Sequence, residues 1–157
     1  AMMVYASLHI FGRQGYELLI NQSIEKAKTF AQMIQSHPDF ELITPPTLSL
    51  LTYRVNPEDV QTKMKIQPKS GHALNMELDN LIVSVQKKQR EAGKSFVSRT
   101  RLKTETYPDQ SITVFRVVLA NPLTSETDLQ NILDEQIAIA SNTKAWKKLC
   151  TKHKQAS

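Results

Sequence analysis

At 157 residues, with 40% hydrophobic and 22% charged side chains, the chain has the composition of one compact globular domain with a real core. It holds no apolar run of membrane-spanning length and nothing like a signal peptide, and its single cysteine, Cys150, rules out an internal disulfide, which fits a cytoplasmic location. The net charge of +5 comes partly from two clusters, Lys144–Lys154 and Lys87–Arg90, of the kind that solvates helix faces; with no glycine-rich loop, zinc-ligand pairs or aromatic ladder beside them, neither a nucleic-acid nor a membrane partner is expected.

Met2–Ile10 has a helical pattern that stops at Gly12, whose backbone freedom suits a helix end. A second helix is predicted from about Tyr16 to Ser36, where Ile20, Ile24, Ala27, Ala31 and Ile34 recur at three- and four-residue steps and make a core-facing stripe. Pro38 and Asp39 end it. Phe40–Ile43 reads as a short strand, Pro45-Pro46 interrupts it, and Leu48–Val55 reads as a second strand. The proline pair allows either an antiparallel return or a bulged continuation.

Asn56–Asn75 is polar, is punctuated by Pro57, Pro68 and Gly71, and reads as a long loop with room for one helical turn. Asn75 is the expected cap of a helix carrying Leu78, Leu81, Ile82, Val85 and Ala92 on one stripe, with Gly93 past its end. Phe96–Leu102 is the third predicted strand, Tyr107-Pro108-Asp109 a turn, and Ile112–Leu119 the fourth strand. Thr124 or Ser125 caps the last main helix, whose Leu129, Ile132, Leu133, Ile137 and Ala140 face the core. Short connections between strands favour an antiparallel sheet of about four strands with helices packed on one face, an α+β fold.

The fourth strand carries the most informative residue. Alternation puts Ile112, Val114, Arg116 and Val118 on one side and Phe115, Val117 and Leu119 on the other, so Arg116 places a permanent cation on a mostly apolar face. Such a guanidinium needs a carboxylate or phosphate partner, or must reach water past the strand edge. The strand alone leaves both open.

No complete catalytic set is visible. His9, His37, His72 and His153 lack acidic or cysteine neighbours at ligand spacing, so no metal site is expected. Cys150 sits among lysines, which would lower its pKa, yet no histidine-bearing motif marks it as a nucleophile. Arg54, Arg99 and Arg101, also on strands, are explained by ion pairs or exposure.

Three blocks carry a resemblance. Ser111–Leu133, SITVFRVVLANPLTSETDLQNIL, resembles the C-terminal end of group II pyridoxal-phosphate-dependent amino-acid decarboxylases, where a strand ending in Leu-Arg or Phe-Arg runs into Asn-Pro, a Thr/Ser pair and an Asp-Leu helix. The opening segment resembles that family's helix, Gly-x-x-Gly break and second helix, with Gly12 and Gly15 as the break, and Pro38–Val55 resembles its strand pair ending in aromatic-Arg, here Tyr53-Arg54. Together the blocks span nearly the whole chain, while the Asn56–Asn75 loop and the Lys/Arg-rich 86–103 segment depart from the shorter family pattern.

The resemblance implies the small C-terminal domain of a fold-type I enzyme. Residues 1–15 would be the end of an inter-domain helix, with Gly12–Gly15 a hinge; 16–143 would be the α+β domain, and 144–157 a basic tail. A chain that opens at Ala1 inside a helical run is expected to be a piece of a longer protein. The implied activity is decarboxylation of glutamate or aspartate, then 2,4-diaminobutyrate, by a homodimer that uses pyridoxal phosphate. The cofactor would be bound by a large domain absent from this chain, so no cofactor-binding residue is expected here, and His153-Lys154 lacks the context of a Schiff-base lysine. Arg116 is implied to bind substrate. The remaining partner is the rest of the same polypeptide. Another fold-type I enzyme such as an aminotransferase, or a stand-alone α+β binding or regulatory module, is the alternative.

Overall fold

A computed structural model describes residues 2–66 and 71–151; Pro68, Lys152 and the His153-Lys154 pair lie outside the described residues. Helix α1 spans Met2–Ser36 and is interrupted at Gly12, which takes φ 60° and ψ −177°, a conformation closed to residues with a Cβ. The expected break is therefore present, but the chain re-enters the helix at once. Strands β1 (Phe40–Thr47) and β2 (Leu50–Val55) form an antiparallel hairpin that turns at Leu48-Ser49, so at the prolines the chain takes the bulged continuation and the return follows them. Contrary to the expected interruption, β1 runs through Pro45-Pro46. It can do so because it is the edge strand of the order β1-β2-β4-β3 and shifts register around Thr44, so the missing N–H groups cost no ladder bonds.

The expected Asn56–Asn75 loop is corrected by the structure. Helix α2 occupies Glu58–Ile66, and α3 (Gly71–Ala92) starts before Asn75. Asn75 is buried inside α3 and caps nothing, because its side chain is drawn to a partner on β2 described below. Strands β3 (Ser98–Leu102) and β4 (Ile112–Val118) follow as antiparallel partners, and every pairing in the four-stranded sheet is antiparallel. Helix α4 (Glu126–Ser141) begins at Ser125 in a full capping box. Ser125 Oγ accepts the Asp128 N–H at 3.1 Å, and the Asp128 carboxylate accepts the Ser125 N–H at 2.8 Å, which holds that carboxyl below its usual range.

One apolar core joins the helices to the sheet. Ala27, Phe30 and Ile34 of α1, Leu78 and Leu81 of α3 and Leu129 of α4 pack with Leu51, Tyr53 and Phe115. The Tyr53 ring meets Phe30, Phe40 and Phe115 at 5.4–5.8 Å, and its hydroxyl, raised in pKa by burial, donates to Gln136 at 3.0 Å. The segment expected as a basic tail begins with helix α5 (Lys144–Thr151), whose Leu149 is buried and whose Lys148 pairs with Glu77 on α3 at 2.8 Å.

Not all of the predicted stripe reaches the core. Ile20 is exposed, as are Met2, Val4, Tyr5, Leu8, Ile10, Phe11 and Leu18. So much apolar surface on one helical arm is what interfaces look like. The isolated chain is therefore expected to self-associate: sedimentation across a concentration series should show average mass rising, and a strictly monomeric species would refute this. No helix among the described residues is long and apolar enough to cross a membrane.

Candidate functional site

Two arginines stand on the central strands, and their surroundings are opposite. Arg54, on β2, is fully buried and held on three sides. Its Nε donates to Glu41 Oε2 at 2.7 Å, one terminal nitrogen to Asn75 Oδ1 at 2.7 Å, and the other to the Tyr107 hydroxyl at 2.8 Å. Tyr107 in turn donates to Glu41 Oε1 at 2.9 Å, Asn56 donates to Glu41 Oε2 at 2.7 Å, and the Tyr107 ring lies 4.7 Å from the guanidinium carbon. Burial pushes the Tyr107 hydroxyl up to about 12; Arg54 pulls it down and Glu41 raises it further. With three of its five N–H donors committed and no exposed surface, Arg54 is a structural clamp out of a ligand's reach. The ion-pair explanation of Arg54 stands, but Asn75 and Tyr107 were invisible as its partners, 21 and 53 residues away.

Arg116, on β4, is exposed, and its side chain has no hydrogen bond or ion pair among the described residues. The sheet register shows why its fork is free. Arg116 lies between Thr52 on β2 and Ser98 on β3. Both hydroxyls are engaged elsewhere: Thr52 with Thr44 at 2.5 Å, and Ser98 with the backbone carbonyl of Arg116 at 2.8 Å. Of the face shared by Ile112, Val114, Arg116 and Val118, the first two are buried and the last two open. Next to Arg116 is a cavity of about 300 Å³ that is lined on the core side by Phe30, Val117, Leu119 and Leu129 and is also bordered by Phe96, Ser98, Val118 and Thr124; Arg116 is its only charged lining residue among those described.

The turn beyond β4 is held in place by a residue that no local pattern marked. Lys26 of α1 donates to the backbone carbonyls of Asn121 and Pro122 at 3.0 and 3.1 Å, while Asn121 Oδ1 accepts the Leu123 N–H at 3.0 Å. This fixes the Asn-Pro turn, which lies in the chain between Leu119 and Thr124, two residues that line the Arg116 cavity.

The other candidates are structural. Arg101 pairs with Asp79 at 3.6 Å, and Arg99 is exposed. The His9 ring lies tilted against Tyr5, His37 meets Phe40 edge to face, and His72 is exposed; no cluster of His, Cys, Asp and Glu able to hold a metal occurs among the described residues. The expected lowering of the Cys150 pKa is corrected: burial raises it, with Asp59 and Asp39 adding to the effect. Pyridoxal phosphate finds no cradle among the described residues. The lysines bordering cavities (Lys65, Lys88 and Lys94) are all exposed, where an imine-forming lysine needs enclosure.

Comparison with known proteins agrees with the α+β fold expected from the resemblance. No family model matches the chain. It is 56% identical over 144 residues to the aspartate 1-decarboxylase of Aliivibrio fischeri, a match covering 91% of this chain and 26% of that protein. Its fold matches mouse CSAD with a TM-score of 0.71 at 20% identity, covering 87% of this chain and 27% of that one. It also matches the glutamate decarboxylase domain of diaminobutyrate-pyruvate transaminase and L-2,4-diaminobutyrate decarboxylase from Vibrio parahaemolyticus, with a TM-score of 0.67 at 16% identity over 89% of this chain and 25% of that one. Over nearly its whole length the chain is thus a homologue of one part of the group II pyridoxal-phosphate-dependent decarboxylases. It spans about a quarter of the length of these relatives.

Proposed function

We propose that this chain is the C-terminal domain of a homodimeric pyridoxal-phosphate-dependent decarboxylase acting on aspartate, ahead of glutamate and 2,4-diaminobutyrate. The observation that carries this reading is the 56% identity to an aspartate 1-decarboxylase across 91% of the chain. The free fork of Arg116 supports it, because a planar guanidinium can take both oxygens of a carboxylate. In this reading residues 1–15 lead in from the large domain, 16–143 form the α+β domain, and the basic segment 144–157 closes it. The cofactor is held by the rest of the polypeptide and supplies the electron sink for loss of carbon dioxide. The contribution of this chain is to bind and orient: Arg116 holds a substrate carboxylate, and Lys26 keeps the Asn121-Pro122 turn beside it.

Carbon dioxide release by the full-length polypeptide should be measured with each of the three amino acids. Aspartate should give the highest kcat/KM. Release from none of them would overturn the reading. The isolated chain, incubated with the cofactor and reduced with borohydride, should show only diffuse surface labelling and no turnover. Stoichiometric labelling of one lysine, with activity, would place the imine-forming residue in this chain after all.

A further inference from the structure

We propose that Phe96 and Val118, together with Leu50, form an apolar collar around Arg116 that selects a short, acidic substrate. The inference rests on the reading of Arg116 as a substrate contact. The register supplies the geometry. Leu50 and Val118 are direct partners, one alternation along from the Thr52–Arg116 pair, and Phe96 stands two residues before Ser98, the other neighbour of Arg116. All three are open: Phe96 is 64% exposed, Val118 55% and Leu50 37%. Phe96 and Val118 border the same cavity of about 300 Å³ as Arg116.

Two exposed apolar side chains beside an unpaired cation, with Leu50 extending the patch from across Val118, are poorly served by water. They are well served by a ligand with a short aliphatic body and a terminal carboxylate. The body covers the collar, and the carboxylate meets the fork in a space from which water is displaced. At an effective dielectric of about 20 rather than 80, the same charge pair attracts several-fold more strongly. A ligand ending in an ammonium group meets a like charge and, among the described lining residues, no carboxylate to receive it. The collar therefore favours dicarboxylic over diamino substrates by both attraction and exclusion.

The test uses the full-length polypeptide with Phe96→Ser, Val118→Ser, Phe96→Leu and Arg116→Gln, measuring KM and kcat for aspartate at low and high salt. Both serine variants should raise KM roughly ten-fold, with the loss falling on KM rather than kcat. They should also steepen its salt dependence, because a wetted ion pair is screened. Phe96→Leu should keep the shallow salt dependence. Both side chains are exposed here, so the melting temperature should hold; Val118→Ser serves as the second probe if Phe96→Ser folds poorly. If Arg116→Gln impairs the enzyme while the serine variants match the wild type in KM and salt slope, the collar is overturned and the substrate site stands. If Arg116→Gln is also without effect, the substrate site falls and the collar with it.

Discussion

Replacing Glu41 with leucine should destabilise the domain more than any other single change at a partly exposed position. Arg54 is 0% exposed, and Glu41 is its only anionic partner among the described residues. Removing one member of a buried pair leaves an uncompensated charge, which costs roughly 3–5 kcal/mol. That is a large share of a typical total stability of about 5–15 kcal/mol. For a domain of this size it corresponds to a fall of roughly 10 °C in melting temperature. The loss should be cooperative, since Glu41 also anchors Asn56 and Tyr107. The double variant Glu41→Leu with Arg54→Met should recover much of it, because no charge is then stranded. Arg101→Gln is the control: its pair with Asp79 is 3.6 Å long and its side chain 66% exposed, so the change should cost well under about 1 kcal/mol. Thermal denaturation of all three decides the matter. A Glu41→Leu melting point within a degree or two of wild type would show that Asn75 and Tyr107 alone compensate the guanidinium.

In the full-length polypeptide, Arg116→Lys should lower kcat/KM by about one to two decades, equivalent to roughly 1.5–3 kcal/mol for one charge-assisted contact. Lysine keeps the charge but is a point donor and cannot reproduce the planar fork. Stability should barely move, because Arg116 is exposed and pairs with nothing among the described residues. This separation of activity from melting temperature is the signature to look for, and it is the reverse of that expected at Arg54. Unchanged efficiency in both Arg116→Lys and Arg116→Gln would make Arg116 a solvated strand residue. The family assignment would survive, since it rests on the sequence match and the fold.

Periodicity did well where a pattern is local. The apolar stripes of α3 and α4, the alternation in β4 and the cap at Ser125 follow from spacings of two to four residues and appear in the structure, except that Ala92, at the end of the α3 stripe, is exposed. It erred at Asn56–Asn75, where Pro57, Pro68 and a polar composition hid the helix α2 and the first turn of α3. These are held by contacts outside their own windows: Val60 is buried in the common core, and Gln61 donates to the backbone carbonyls of Pro38 and Asn56. Proline likewise misled at Pro45-Pro46, because its cost depends on whether the strand is an edge, and strand order is not written in any one segment.

The sequence by itself determined the fold class, the family resemblance and the placing of a cation at Arg116 in a strand with two apolar faces. Which arginine was available was decided only by the tertiary structure. Tyr53-Arg54 and Phe115-Arg116 look alike as strings, aromatic followed by arginine. Folding brings Glu41, Asn75 and Tyr107 onto Arg54 from 13, 21 and 53 residues away and leaves Arg116 flanked by hydroxyls already engaged elsewhere. A guanidinium is spent or free according to what surrounds it in space, and those neighbours come from segments that no local window contains.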